Sequence, residues 1–321
     1  MCLVALAWQH LPGMPLCLIS NRDEFHARPT AGLQAWHLPA ADAARPAHTP
    51  PSPRNGQDTA PGHDGATRTA AAPGPVGRTG APAAFSPPPL IISGRDLQSG
   101  GTWLGITPGG RWAVLTNFRD TRNQRRFNTS RGALVTDFLA GDLSPLAYQQ
   151  QLATRLDDHA GFNLIVGTPE SAVYLGNGGP ASRTPQVLPA GVHVLCNGQK
   201  SDRWAKSEHI RQRFTDEFLP QAAQIRPGHG TIALHERARR LELPAWHILE
   251  DTRQQPDDLL PDTGLSLDWE RLLSSTFIAG DHLGYGTRCS SLLLQADDGH
   301  WHFSEKTQHG PERSQVRRYS P

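Results

Sequence analysis

Residues 39–89 contain 12 Pro, 6 Gly and 13 Ala, so 31 of these 51 positions are Ala, Pro or Gly. Such a run has almost no large apolar side chain to bury, and burial is what offsets the entropy of ordering a chain. It is expected to stay disordered and to loop out to solvent, at little cost because loop closure grows only logarithmically with length. The folded body must therefore be assembled from segments on either side of it. Removing 51 of 321 residues leaves 270, enough for one large domain with a real core. The domain is expected over residues 1–306, with 39–89 as an insert and 307–321 as a C-terminal tail.

The charge balance, 31 Lys+Arg against 30 Asp+Glu, argues against nucleic acid or a membrane surface recognised by bulk electrostatics. No apolar run approaches the ~18–20 residues of a membrane-spanning helix. The apolar start lacks a basic leader and is broken by Pro12, Gly13 and Pro15, so no signal peptide is read there. Four Cys without a C-x-x-C make neither a disulfide framework nor a zinc site. A reducing, cytoplasmic setting is the expectation.

Residues 2–8 and 16–20 read as two strands of a hairpin around Leu11-Pro12-Gly13-Met14-Pro15. Further hairpins are expected at 100–117, 162–176 and 289–304, with strands at 191–196 and 276–278. Helices are expected from Ser130 to about Leu139, from Pro145 to near Gly161, over 203–219, and within 230–250. Helices with mostly hairpin-paired strands define an α+β fold.

Cys2 opens the first strand. Removal of Met1 would put a thiol and a free α-amine on one residue. An α-amine, with a pKa of about 7.7–8.0, can take the thiol proton without a histidine. Cys2 as a small buried strand residue is the plainer alternative. The second strand ends in Asn21-Arg22-Asp23-Glu24, which antiparallel pairing would bring within reach of position 2. A carboxylate there, Asp23 or Glu24, could hold the amine, and Arg22 could favour the thiolate and bind a substrate oxygen. A solvated turn with weak surface ion pairs fits the same residues. Asn117 and Asn197 each end a strand, where an amide can donate to an oxyanion or simply make a turn. Arg288 begins a strong strand. His300 and His302 share a strand face, but no third ligand follows at a usual spacing, so no metal or cofactor is expected.

Met1-Cys2, Asn21-Arg22-Asp23-Glu24-Phe25, Gly94-Arg95-Asp96-Leu97, Gly100-Gly101-Thr102-Trp103-Leu104-Gly105, Leu115-Thr116-Asn117-Phe118-Arg119, Ser130-Arg131-Gly132, Gly161-Phe162-Asn163-Leu164 and Tyr285-Gly286-Thr287-Arg288-Cys289-Ser290 together resemble the NRDE family, also called the transport and Golgi organisation 2 family. That family resembles the N-terminal-nucleophile hydrolases of the penicillin V acylase and bile-salt hydrolase type. The resemblance implies a four-layer α-β-β-α sandwich of two antiparallel sheets between helices. It implies Cys2 as nucleophile on a linear amide, Arg22 and Asp23 as its assistants, Asn197 as the oxyanion-hole amide and Arg288 as a late arginine. Asn21, Glu24, Asn117 and Arg119 are the implied substrate contacts, and Asn21 and Glu24 could exchange roles with Arg22 and Asp23. Around Asn197 the chain reads Cys-Asn-Gly-Gln where the family usually has a Ser-Asn-Ser turn. The expected partner is a small molecule. The alternative implied by the same resemblance is a non-catalytic binding or trafficking protein for haem or an acyl or lipid ligand.

Overall fold

Alternation along the first strand sets the layers. In β1 (Cys2–Leu11), Cys2, Val4, Leu6 and Trp8 join one apolar cluster, while Leu3, Ala5 and Ala7 join another. Successive strand side chains point to opposite faces, so both faces of this strand are buried. The turn into β2 (Met14–Phe25) places Gly13 at φ 76°, a backbone conformation that side chains with a Cβ rarely adopt. The expected hairpin forms, with Leu3 opposite Asn21 and Cys2 opposite Arg22.

In the computed structural model residues 2–38, 89–119, 121, 125, 127, 129–224 and 234–321 are described. Apart from Pro89, the Ala/Pro/Gly-rich run lies outside them. The next strands are β3 (Thr30–His37), β4 (Leu90–Asp96), β5 (Leu104–Ile106), β6 (Trp112–Asn117), β7 (Phe162–Gly167), β8 (Ala172–Gly176) and β9 (Gln186–Val187). They form a seven-stranded sheet in chain order. Then β10 (Gly191–Leu195), β11 (Tyr285–Gln295), β12 (Trp301–Thr307) and β13 (Val316–Tyr319) join the first hairpin in a six-stranded sheet of order β10-β1-β2-β11-β12-β13. Every pairing in both sheets is antiparallel.

Three apolar layers separate four layers of structure. Val4, Leu6, Trp8, Leu18 and Leu293 of one sheet meet Leu104, Ile106, Trp112, Val114 and Ile165 of the other. The outer face of the six-stranded sheet, with Leu3, Ala5, Ile19 and Leu292, packs on α3 (Ala205–Arg213), α4 (Leu219–Gln224) and α5 (Leu234–Leu249) through Ile210, Leu219, Leu241 and Trp246. The outer face of the seven-stranded sheet, with Ile91, Ala113, Leu115 and Leu164, packs on α1 (Arg131–Ala140) and α2 (Pro145–Ala153) through Leu134, Phe138 and Leu152. The α-β-β-α sandwich implied by the resemblance is present. Among the described residues no helix is long and apolar enough to cross a membrane.

Three local expectations are corrected. Residues 276–278 are not a strand: the Thr276 carbonyl accepts from Asn21, and Phe277 N–H donates to the Asp251 carbonyl, so the backbone is held outside any ladder. The helix expected from Pro145 to near Gly161 ends at Ala153 and is capped by Thr154. Within the stretch read as a tail, Val316–Tyr319 forms β13 on the edge of the six-stranded sheet. Its Arg318 makes a two-pronged ion pair with Glu242 of α5, both contacts at 2.7 Å.

Candidate active site

A cavity of about 510 Å³ opens at one end of the sandwich. Cys2, at the head of β1, and Arg22, directly across from it on β2, lie in its wall. The opposed pair shares a face, the one turned toward the second sheet. Asp23, Glu24 and Arg28 continue the wall, Asp96, Ser99, Thr102 and Trp103 form another side, and Leu115 and Asn117 come from the end of β6. Ser130, Arg131 and Gly132, at the start of α1, close it.

This last approach is very tight. A Cβ on Gly101 would lie 2.4 Å from the Gly132 carbonyl carbon, so only glycine lets the loop before β5 meet the start of α1. Thr102 N–H donates to the Gly132 carbonyl at 3.4 Å. Arg131 then occupies the first turn of a helix, where the helix dipole disfavours a cation. Its guanidinium donates to the Gly161 carbonyl at 3.0 Å, and burial lowers its pKa from the ordinary value.

Cys2 is 7% exposed. Burial pushes its thiol up; the chain's amino-terminal charge and Arg22 oppose this, while Asp23 and Glu24 add to it. Arg22 is 4% exposed, rests 4.2 Å over the Trp103 ring and donates to Thr30 Oγ1 at 3.2 Å. Among the described residues neither Arg22 nor Arg131 has a carboxylate in ion-pair contact, whereas Arg28 pairs with Asp96 at 2.7 Å and with Glu24 at 3.7 Å. Glu24 acts on Arg131 at longer range, and Glu305 and Arg22 act on each other. The wall therefore sets Arg22, Arg28 and Arg131 beside Asp23, Glu24 and Asp96 around one thiol. Asp23 is held by Thr287, whose hydroxyl donates to Oδ1 at 2.7 Å.

Four residues that the sequence singled out are placed elsewhere. Asn21 faces the helix layer, because its parity on β2 is opposite to that of Arg22. Its amide donates to the carbonyls of Leu249 (2.7 Å) and Thr276 (2.9 Å), and its carbonyl accepts from Ser290 (2.7 Å). Asn197 does not line the cavity; its Nδ2 donates to the Asn117 carbonyl at 2.8 Å and so braces the loop that does. Arg119 forms a buried ion pair with Glu270 at 2.7 Å. Arg288 is the extra residue of a β-bulge between Thr287 and Cys289, and bulges re-aim side chains. Its guanidinium donates to the carbonyls of Phe25, His26 and Arg28 at 2.9–3.1 Å, clamping the loop after β2. His300 and His302 face separate carboxylates, Asp298 and Glu242.

Arg28 and Arg131 line the wall although the sequence did not single them out as site residues. The available signal for Arg131 was its position, a cation opening a helix against the dipole.

The family model for Transport and Golgi organisation 2 matches residues 1–46 and 76–310, interrupted across the Ala/Pro/Gly-rich run. This chain belongs to that family. Within it, a Transport and Golgi organization protein 2 homolog from Bos taurus is 30% identical over 230 residues, covering 69% of this chain and 78% of its own. Among solved structures, a Caenorhabditis elegans N-acylethanolamine-hydrolyzing acid amidase ortholog covers 92% of this chain and 93% of its own length at 10% identity, with a TM-score of 0.40. A conjugated bile acid hydrolase from Clostridium perfringens covers 99% and 96% at 8% identity, with a TM-score of 0.42. At these scores neither likeness decides anything about this chain's chemistry.

Proposed function

We propose that this family member is a cysteine amidohydrolase with an N-terminal nucleophile, acting on a small linear amide that carries an anionic group. The observation that supports this most is the pairing of Cys2 with Arg22 in the wall of one cavity. In this reading Met1 is removed and the α-amine of Cys2 accepts the thiol proton, which a thiol raised by burial does not release on its own at neutral pH. Sγ attacks the amide carbon, the tetrahedral oxyanion collapses, and the C–N bond breaks as the amine group returns the proton to the leaving nitrogen. Water then cleaves the thioester, releasing the acid and restoring the thiol. Asp23 orients the amine. Arg22 and Arg131 hold the anionic substrate group, and Asn117 contacts the substrate. Asn197 and Arg288 act as positioning residues, through Asn117 and the loop after β2.

Intact-mass analysis with iodoacetamide labelling at graded pH tests this. Loss of Met1 is expected, with Cys2 labelling that rises steeply above neutral pH and vanishes in Cys2→Ala. A panel of N-acyl amino acids should be cleaved by the parent and not by Cys2→Ala. Retention of Met1 with an inert Cys2 sinks the reading. The binding alternative, haem or an acyl ligand in the same cavity, predicts instead a haem Soret shift or acyl-ligand binding that Cys2→Ala abolishes, without amide cleavage.

A further inference from the structure

Three side chains from distant parts of the chain converge outside the cavity. Among the described residues, His26, Asp281 and His309 are the group of potential metal ligands whose donor atoms all lie within 4.8 Å of one another. His26 follows β2, Asp281 opens the short turn before β11, and His309 follows β12. Asp281 Oδ1 is 3.6 Å from His26 Nε2 and 3.6 Å from His309 Nδ1. Both distances are too long for hydrogen bonds. His26 Nε2 is also shut off from solvent without a hydrogen-bond partner, which is costly for a ring nitrogen.

The spacing fits a shared ion. Zinc–nitrogen bonds of about 2.0–2.1 Å and zinc–oxygen bonds of about 2.0–2.2 Å at a tetrahedral angle separate donor atoms by about 3.4 Å. The two observed separations are within a few tenths of that. The donor set, two imidazoles and one carboxylate, suits a borderline divalent cation rather than calcium or magnesium. Asp281 is 71% exposed and His309 33%, so the outer side is open to water as a fourth ligand, while His26 is 12% exposed and fixed. The two rings are stacked, with centroids 3.5 Å apart and planes 16° apart. One ion cannot lie in the planes of both stacked rings, so binding must turn the more exposed His309 ring out of the stack.

We propose that His26, Asp281 and His309 form a zinc-binding site that fastens the loop after β2 to the segments flanking β11 and β12. Arg288, bonded to the carbonyls of Phe25, His26 and Arg28, is the neighbouring cation that works against it. Arg28 of the same loop lines the cavity, but the site does not depend on the chemistry proposed there.

The test is titration of the metal-free full chain with Co²⁺ alone, followed by displacement with Zn²⁺. One equivalent should give visible d–d bands without a thiolate charge-transfer band. Cys2→Ser should keep those bands. Asp281→Asn, at an exposed position, and His309→Gln, at a half-buried one whose unchanged folding is checked by circular dichroism, should each weaken binding about tenfold or more. Imidazole C–H resonances should shift as the stack opens. Absence of d–d bands, bands that survive in both variants, or bands lost with Cys2→Ser would overturn the proposal.

Discussion

Glu242→Gln isolates one term in the acid stability of this protein. Burial opposes ionisation of Glu242, but the His302 imidazole 3.7 Å away and the Arg318 fork outweigh it and hold the carboxyl at about 2, against an ordinary 4.5. A folded-state pKa below the unfolded one stabilises the native state at pH values above 4.5, and that contribution is lost as the pH falls through the folded value. At 1.36 kcal/mol per unit, the full contribution is about 3 kcal/mol, of which about 2 kcal/mol is gone by pH 3. Other carboxylates titrate over the same range, so the useful quantity is a difference between two proteins. Urea unfolding followed by tryptophan fluorescence, for the parent and Glu242→Gln from pH 7 to pH 3, gives it. The variant should be less stable at pH 7, and the gap should narrow by about 2 kcal/mol toward pH 3. Two stability curves that run parallel across this range would refute the assignment.

Two further outcomes are expected. Gly101→Ala drives a Cβ into the Gly132 and Ala133 backbone, at 2.4–2.9 Å, and should cost about 1–3 kcal/mol in thermal or urea unfolding. Gly109→Ala, where the nearest atom is 4.0 Å away, serves as the near-neutral control. Asn21→Leu leaves the Leu249 and Thr276 carbonyls and the Ser290 hydroxyl without the amide that now meets them. It should destabilise by about 3 kcal/mol or more, with the rate of Cys2 alkylation in the folded protein unchanged. A loss under 1 kcal/mol would show that the amide does not anchor the helix layer.

The first hairpin was legible because its turn carries Pro and Gly between two apolar runs, and it brought position 2 within reach of residues 21–24; the register of the structure sets Cys2 opposite Arg22. Parity along β2 was legible too, and it already separates Asn21 from Arg22, since a one-residue step reverses the face. What the sequence did not reveal depends on long-range contacts. Arg288 is turned away by a bulge whose existence depends on how β11 registers against β2. Asn197 reaches Asn117 across 80 residues. His26 and His309 meet across 283 positions, and no local spacing rule connects them. Strand β13 lies among polar residues and is held by Arg318 on Glu242, a pairing made in space and not in pattern.

The six-stranded sheet also has a temporal consequence. Its first hairpin leaves the ribosome before either of its neighbours, since one edge pairs with residues 191–195 and the other with residues 285–295. Until both have emerged, the hairpin presents unpaired backbone and two apolar faces to water or to a chaperone. Nascent chains stalled before residue 285 should therefore be protease-sensitive in these two strands, and maturation of the cavity wall must await the emergence of residues 285–295.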